Sequence, residues 1–116
     1  SFAATTKSFV INHPTKPGAM LRYASLEGPE HGVYHRGRIT AGTRIPLPDY
    51  WSALVDVAST TVQLTSIGRD QGLYVADITG NHVEIGANVH RRQIDAFYVV
   101  HAERRDVPRL DVEIRQ

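Results

Sequence analysis

The clearest hydrophobic rhythm in the chain has a period of two. In VYHRGRIT (33–40), Val33, His35, Gly37 and Ile39 fall on one side and Tyr34, Arg36 and Arg38 on the other. Successive strand residues point to opposite faces, so the pattern predicts a half-buried strand. QIDAFYVVHAER (93–104) is the longest such run, with Ile94, Ala96, Tyr98, Val100 and Ala102 on one face. Phe97 and Val99 sit on the other, which predicts a central strand covered on both sides in its middle. Shorter extended runs occupy 7–11, 19–26, 44–48 and 60–68. Pro46 and Pro48 remove ladder donors from 44–48 and suit an edge or crossing segment. The runs 73–78 and 82–86 flank Thr79-Gly80-Asn81, a hairpin signal, and ANVHRR (87–92) returns the chain. The polar tail 106–116 contains LDVEI (110–114), whose alternation predicts a last strand.

One stretch has helical spacing. In PDYWSALVD (48–56), Trp51, Leu54 and Val55 share a stripe by the i, i+3, i+4 rule, and Asp49 is placed to cap the first turn. Two turns at most are supported, and so short a helix persists only with its stripe buried. About eight short strands, closely spaced turns and one short helix predict an all-β fold, an antiparallel β-sandwich with a jelly roll as one form of it. Strand–helix alternation of the nucleotide-binding kind is absent.

The 116 residues suit a single domain, 1–116, with 1–6 as a loose N-terminal arm. A module of a longer chain is the expectation. The core is small at this size, so an oligomer is expected. A formal net charge of +1 argues against nucleic acid as the main partner. Local basic runs (HRGR, 35–38; HRR, 90–92; ERRD, 103–106) read as solvated strand faces. With no cysteine, disulfides, thiolate metal sites and cysteine nucleophiles are excluded together. No apolar run is long enough to span a bilayer, and the start lacks the apolar core of a signal peptide, so no membrane partner is expected.

Candidate chemistry concentrates in LEGPEHGVYHRGRI (26–39). A zinc site without cysteine needs histidines and carboxylates to converge. His31 and His35 are four apart, which would share a helix face; in a strand they lie about 13 Å apart. They remain the alternative metal pair, with a metal-assisted hydrolase as the corresponding activity, while His35 on the inward face reads as a hydrogen-bonded core or rim histidine. No G-x-S-x-G elbow or phosphate-binding glycine run occurs, so no catalytic residue and no cofactor is assigned. Exposed aromatic rings can stack on sugars, which leaves Tyr23, Tyr34, Tyr50 and Tyr74 as platform candidates; Trp51 reads as core.

Several motifs in order resemble a domain of tail-fibre and other structural proteins of tailed bacteriophages, closest to those of phages of marine cyanobacteria. They are Lys7, Phe9, Ile11, His13, Pro14, Pro17 and Leu21; then Glu27-Gly28-Pro29-Glu30 with Val33, Tyr34, Arg36 and Gly37. Leu47 to Trp51 with Leu54 follow, then Gln63 to Thr65 with Gly68, and finally Ala102 to Arg104 with Asp106. The resemblance covers Lys7 to Leu110; NVHRR (88–92) follows no pattern in it. It implies a non-catalytic virion component that assembles with itself, a trimer being favoured, and with other virion proteins, or that attaches to a host-surface glycan. It implies no catalytic residues. Within it, Glu27, Gly28, Pro29 and Glu30 read as a rigid structural turn. Tyr34, Arg36 and Arg38 beyond it are the binding candidates, and an arginine of this strand is expected to brace a turn carboxylate.

Overall fold

A computed structural model describes residues 7–88 and 93–115. The arm read over 1–6 and most of the return segment, including His90, lie outside the described residues. The chain is an all-β antiparallel sandwich, not a closed barrel. Its strands are β1 (Ser8–Asn12), β2 (Met20–Ala24), β3 (Gly32–Ile39), β4 (Arg44–Pro46), β5 (Thr61–Ser66), β6 (Leu73–Ile78), β7 (His82–Ala87) and β8 (Ala96–Glu103). One sheet has the order β3-β8-β5 and the other β4-β7-β6, while β1 and β2 pair only with each other.

The central position expected for the longest strand is observed: β8 lies between β3 and β5, with Tyr98 opposite Gly37 on one side and Leu64 on the other. Ala96, Tyr98, Val100 and Ala102 are buried against Val33 and Ile39 of β3 and Ile45, Val83 and Ile85 of the second sheet. Burial removes this apolar area from water and drives the two layers together. The second half of the expectation fails. Phe97 is 51% exposed and Val99 only half-buried, so among the described residues no layer covers the outer face of β8.

The expected helix forms as one turn, α1 (Trp51–Leu54), and Trp51, Leu54 and Val55 are all buried. It closes the end of the sandwich where β8 leaves it: Asp56 N–H donates to Glu103 C=O, and Arg105 N–H to Leu54 C=O. Asp49 does not cap it. Trp51 N–H instead meets the Pro48 carbonyl, because the chain enters through a tight turn and no side chain is needed there. Asp56 does the capping one turn later, accepting from Ala58 N–H at the 3₁₀ turn Val57–Ser59. The hairpin at Thr79-Gly80-Asn81 forms as expected, with a bulge in β6 between Val75 and Asp77. The strand expected at 110–114 does not form: this stretch carries no ladder, and Leu110, Val112 and Ile114 are exposed.

Two glycines are dictated by neighbouring rings. A Cβ on Gly37 would lie 2.6 Å from the Tyr98 hydroxyl, and one on Gly86 would lie 2.4 Å from the Tyr74 ring. In each pair the aromatic ring of one strand lies across the bare backbone of the next and fills the missing side chain's place.

Candidate functional site

The motif residues separate into three clusters, and two of them fasten parts of the fold together. The first joins the β1–β2 hairpin to the end of β8. Arg104 lies with its guanidinium 3.7 Å from the centre of the Phe9 ring. Its Nε and Nη2 donate to the two carboxylate oxygens of Asp106, at 2.9 and 2.6 Å. A planar, delocalised cation can stack on a ring and fork a carboxylate simultaneously, which an ammonium cannot. That arginine bond holds the Asp106 carboxyl below its ordinary range. Motif residues almost a chain length apart, Phe9 on one side and Arg104 with Asp106 on the other, thus form one clamp.

The second cluster fixes the other side of the same hairpin. His13 Nδ1 accepts from the backbone N–H groups of Thr15 and Lys16, at 3.1 and 3.0 Å, and so orders the turn after β1. Its ring meets the Tyr50 ring edge-on, centroids 5.1 Å apart. The Tyr50 hydroxyl is hydrogen-bonded to that of Tyr23 at 2.6 Å. Burial, then that bond, push the Tyr23 phenol upward. Two of the four tyrosines considered as sugar platforms are thereby committed to joining β2 to the α1 region; Tyr34 and Tyr74 stay exposed.

The third cluster is the outer face of β3-β8-β5. Tyr34, Arg36 and Arg38 project there beside His101, Val99 and Phe97, their register partners. Arg38 forks Asp95 through Nε and Nη2, both at 2.9 Å, and its guanidinium lies 5.9 Å from the Phe97 ring centre. The arginine holds the Asp95 carboxyl below its ordinary range. Asp95 is held in turn by Gln71, which is fully buried. Gln71 Oε1 accepts from Asp95 N–H at 2.9 Å, and its Nε2 donates to the carbonyls of Asp95 and Ile67, at 2.7 and 3.2 Å. A buried amide of this kind continues the ladder with a side chain and satisfies backbone groups that would otherwise be stranded.

The brace expected between a β3 arginine and the 27–30 turn is therefore corrected. Arg38 reaches Asp95, and among the described residues Arg36 meets no carboxylate; Glu27 faces Lys7 at 3.9 Å. Both of those last groups are highly exposed, so the pair adds little. The geometric reason is that the turn precedes β3 and lies towards the His101 end of the sheet, while Arg36 and Arg38 sit further along. The turn residues Glu27, Gly28, Pro29 and Glu30 instead wall a cleft of about 370 Å³ with Thr61, Gln63 and His101.

The two candidate metal ligands part company. His31 is exposed before β3, near Asp106, whereas His35 points inward, half-buried, 5.9 Å from the Tyr98 ring and beside the Pro46 backbone. Desolvation by burial lowers the His35 pKa below its ordinary value. Among the described residues no three histidines or carboxylates converge as a metal would require. Asp95, Asp106 and Glu84 are all held in the ionised form by arginine or, for Glu84, first by the Thr43 hydroxyl and then by Arg44. Carboxylates held ionised in this way lack the raised pKa that a general acid needs at neutral pH. Searches against family models, curated proteins and solved structures return no match to this chain.

Proposed function

We propose that this chain is a non-catalytic structural module of a phage virion, part of a tail fibre or appendage, that assembles with copies of itself and presents a surface to other virion proteins or to the host. The observation that carries this reading is unspent surface. The accessible area is 8090 Å², against about 6,300 Å² for a monomer of this mass. The excess, roughly 1,800 Å², is about twice the ~800 Å² that one partner contributes to a standard interface, and the exposed 110–114 stretch supplies part of it. The radius of gyration is 16.9 Å, where about 13 Å is typical of a compact chain this long. The motif residues support the same reading, because Phe9, Arg104 and Asp106 spend their groups on one another and His13 spends its ring on its own turn and on Tyr50. The resemblance of the ordered motifs to tailed-phage structural proteins supplies the setting and favours a trimer, with the virion as its location.

Light scattering on the purified chain tests the reading. A stable multiple of the 12.9 kDa chain mass is expected, and a monomer at 100 μM scale would overturn it. A second reading, a glycan-binding receptor module, rests on Tyr74. Its ring lies over Gly86, the residue is 48% exposed, and it stands beside Glu84, which Thr43 and Arg44 hold in place. Glycan-array binding that vanishes in Tyr74→Ala, with folding intact, would favour that reading.

A further inference from the structure

Two open halves of a β-ladder coexist in this molecule. The first is the outer edge of β3. That strand pairs with β8 on one side and, among the described residues, with no strand on the other. In an antiparallel pair every second residue turns its N–H and C=O away from the partner. Among the described residues none of the outward groups of β3 meets another backbone group. An edge eight residues long is a template for an added strand.

The second open half is the tail. Residues 110–114 alternate as a strand, Leu110, Val112 and Ile114 against Asp111 and Glu113, yet form no ladder and leave the three apolar side chains 42%, 63% and 81% exposed. No backbone hydrogen bond ties residues 107–115 to the rest of the fold.

The two halves match in charge and spacing. The outward side chains of β3 include Arg36 and Arg38, two apart. The acids of the tail, Asp111 and Glu113, are also two apart. When a strand is added beside β3, residues facing outward on one stand next to residues facing outward on the other. Setting the acids beside the arginines puts Leu110, Val112 and Ile114 on the inner side, next to the row His35, Gly37 and Ile39. A one-residue slip would reverse both matches, so the facing of the added strand is determined. Arg36 has no carboxylate partner among the described residues. Arg38 spends two of its five N–H donors on Asp95, and the others are available.

From this juxtaposition we propose that residues 110–114 of one copy add as a strand to the outer edge of β3 of a second copy, with Asp111 and Glu113 against Arg36 and Arg38. The proposal rests on the self-assembly reading above and names the contact that would produce it. Exchange of a tail for a neighbour's edge is a heterologous contact, and it closes into a ring when the rotation between copies permits.

The test is light scattering of the full chain and three kinds of variant, with circular dichroism to check the fold. Wild type is expected as an oligomer. Val112→Asp with Ile114→Asp, at tail positions 63% and 81% exposed in the isolated chain, is expected to return the mass to that of a monomer with the β signal unchanged. Arg36→Glu is expected to do the same, and either Glu113→Arg or Asp111→Arg is expected to restore the oligomer. The first rescue would show an antiparallel addition, the second a parallel one. An oligomer that survives Val112→Asp/Ile114→Asp, or a lost oligomer that neither reversal restores, overturns the strand exchange while leaving self-assembly standing. A monomeric wild type overturns both, including the case in which the tail docks on its own chain.

Discussion

Replacing Arg104 by lysine keeps the charge and removes the plane, so it isolates what the clamp does. The Arg104 side chain is only 12% exposed, stacked at 3.7 Å on Phe9 and forked on Asp106. At a site this desolvated the planar stack contributes about 1 kcal/mol beyond what a lysine ammonium over the same ring would keep. Losing one arm of the fork costs about another 1 kcal/mol, reduced because the Asp106 side chain is 34% exposed and partly screened. Arg104→Lys should therefore destabilise by about 2 kcal/mol, a fall in melting temperature of about 8 °C for a chain of this size. A double-mutant cycle of Phe9→Leu with Arg104→Lys, read by urea denaturation, should give a coupling of about 1 kcal/mol. A coupling within about 0.3 kcal/mol of zero would refute the stacking argument, since independent sites add to within that margin. The acid side follows in sign. The Asp106 carboxyl is depressed in the folded state, so its contribution is complete above the unfolded carboxylate range and is lost as pH falls through the lower, folded value. Asp106→Asn should flatten the stability profile below about pH 4.

The ring-over-glycine pairs predict opposite outcomes from the same substitution. Gly37→Ala should cost about 1–3 kcal/mol, because Tyr98 is buried and has nowhere to swing, whereas Gly86→Ala should cost well under 1 kcal/mol, as the exposed Tyr74 ring can rotate off; equal costs in thermal melts would contradict this. Gln71→Leu should destabilise by about 2–4 kcal/mol by stranding the backbone groups of Asp95 and Ile67, and a wild-type melting temperature would show that the amide is dispensable. His35, lowered by burial, binds a proton more readily unfolded than folded, so stability should decline as pH falls below about 6.5, and His35→Gln should remove that slope; an unchanged profile in the variant would locate the slope elsewhere.

Period-two alternation was legible because it is a direct imprint of burial on one side of a strand: β3 and β8 follow it residue by residue, and the Trp51 stripe follows its helical counterpart. Phe97 and the 110–114 tail misled for a shared reason. Apolar letters in strand spacing report that a side chain seeks cover, and they say nothing of whether the cover comes from the same chain. Asp49 had the right chemistry for a cap, but the Pro48 carbonyl met the free N–H first. The brace was placed on the nearest acid in sequence, whereas Arg38 found Asp95, 57 residues on, because β3 and β8 run antiparallel. Gln71 was invisible: a glutamine in RDQG looks like a solvated turn, and only the path of the backbone around it makes it the most buried polar side chain described. The Phe9–Arg104 contact had a trace in the sequence, the pairing of two separate motifs, but no spacing rule joins positions so far apart.

The hairpin of β1 and β2 has a mechanical consequence. No main-chain bond links it to the sandwich among the described residues; rings, a guanidinium and a phenol pair fasten it. Tension applied from the amino end would load those side-chain fasteners one after another, while the two sheets, sheared along their ladders, would bear force in parallel. The hairpin would therefore yield first and absorb extension, a compliant link in series with a stiff body.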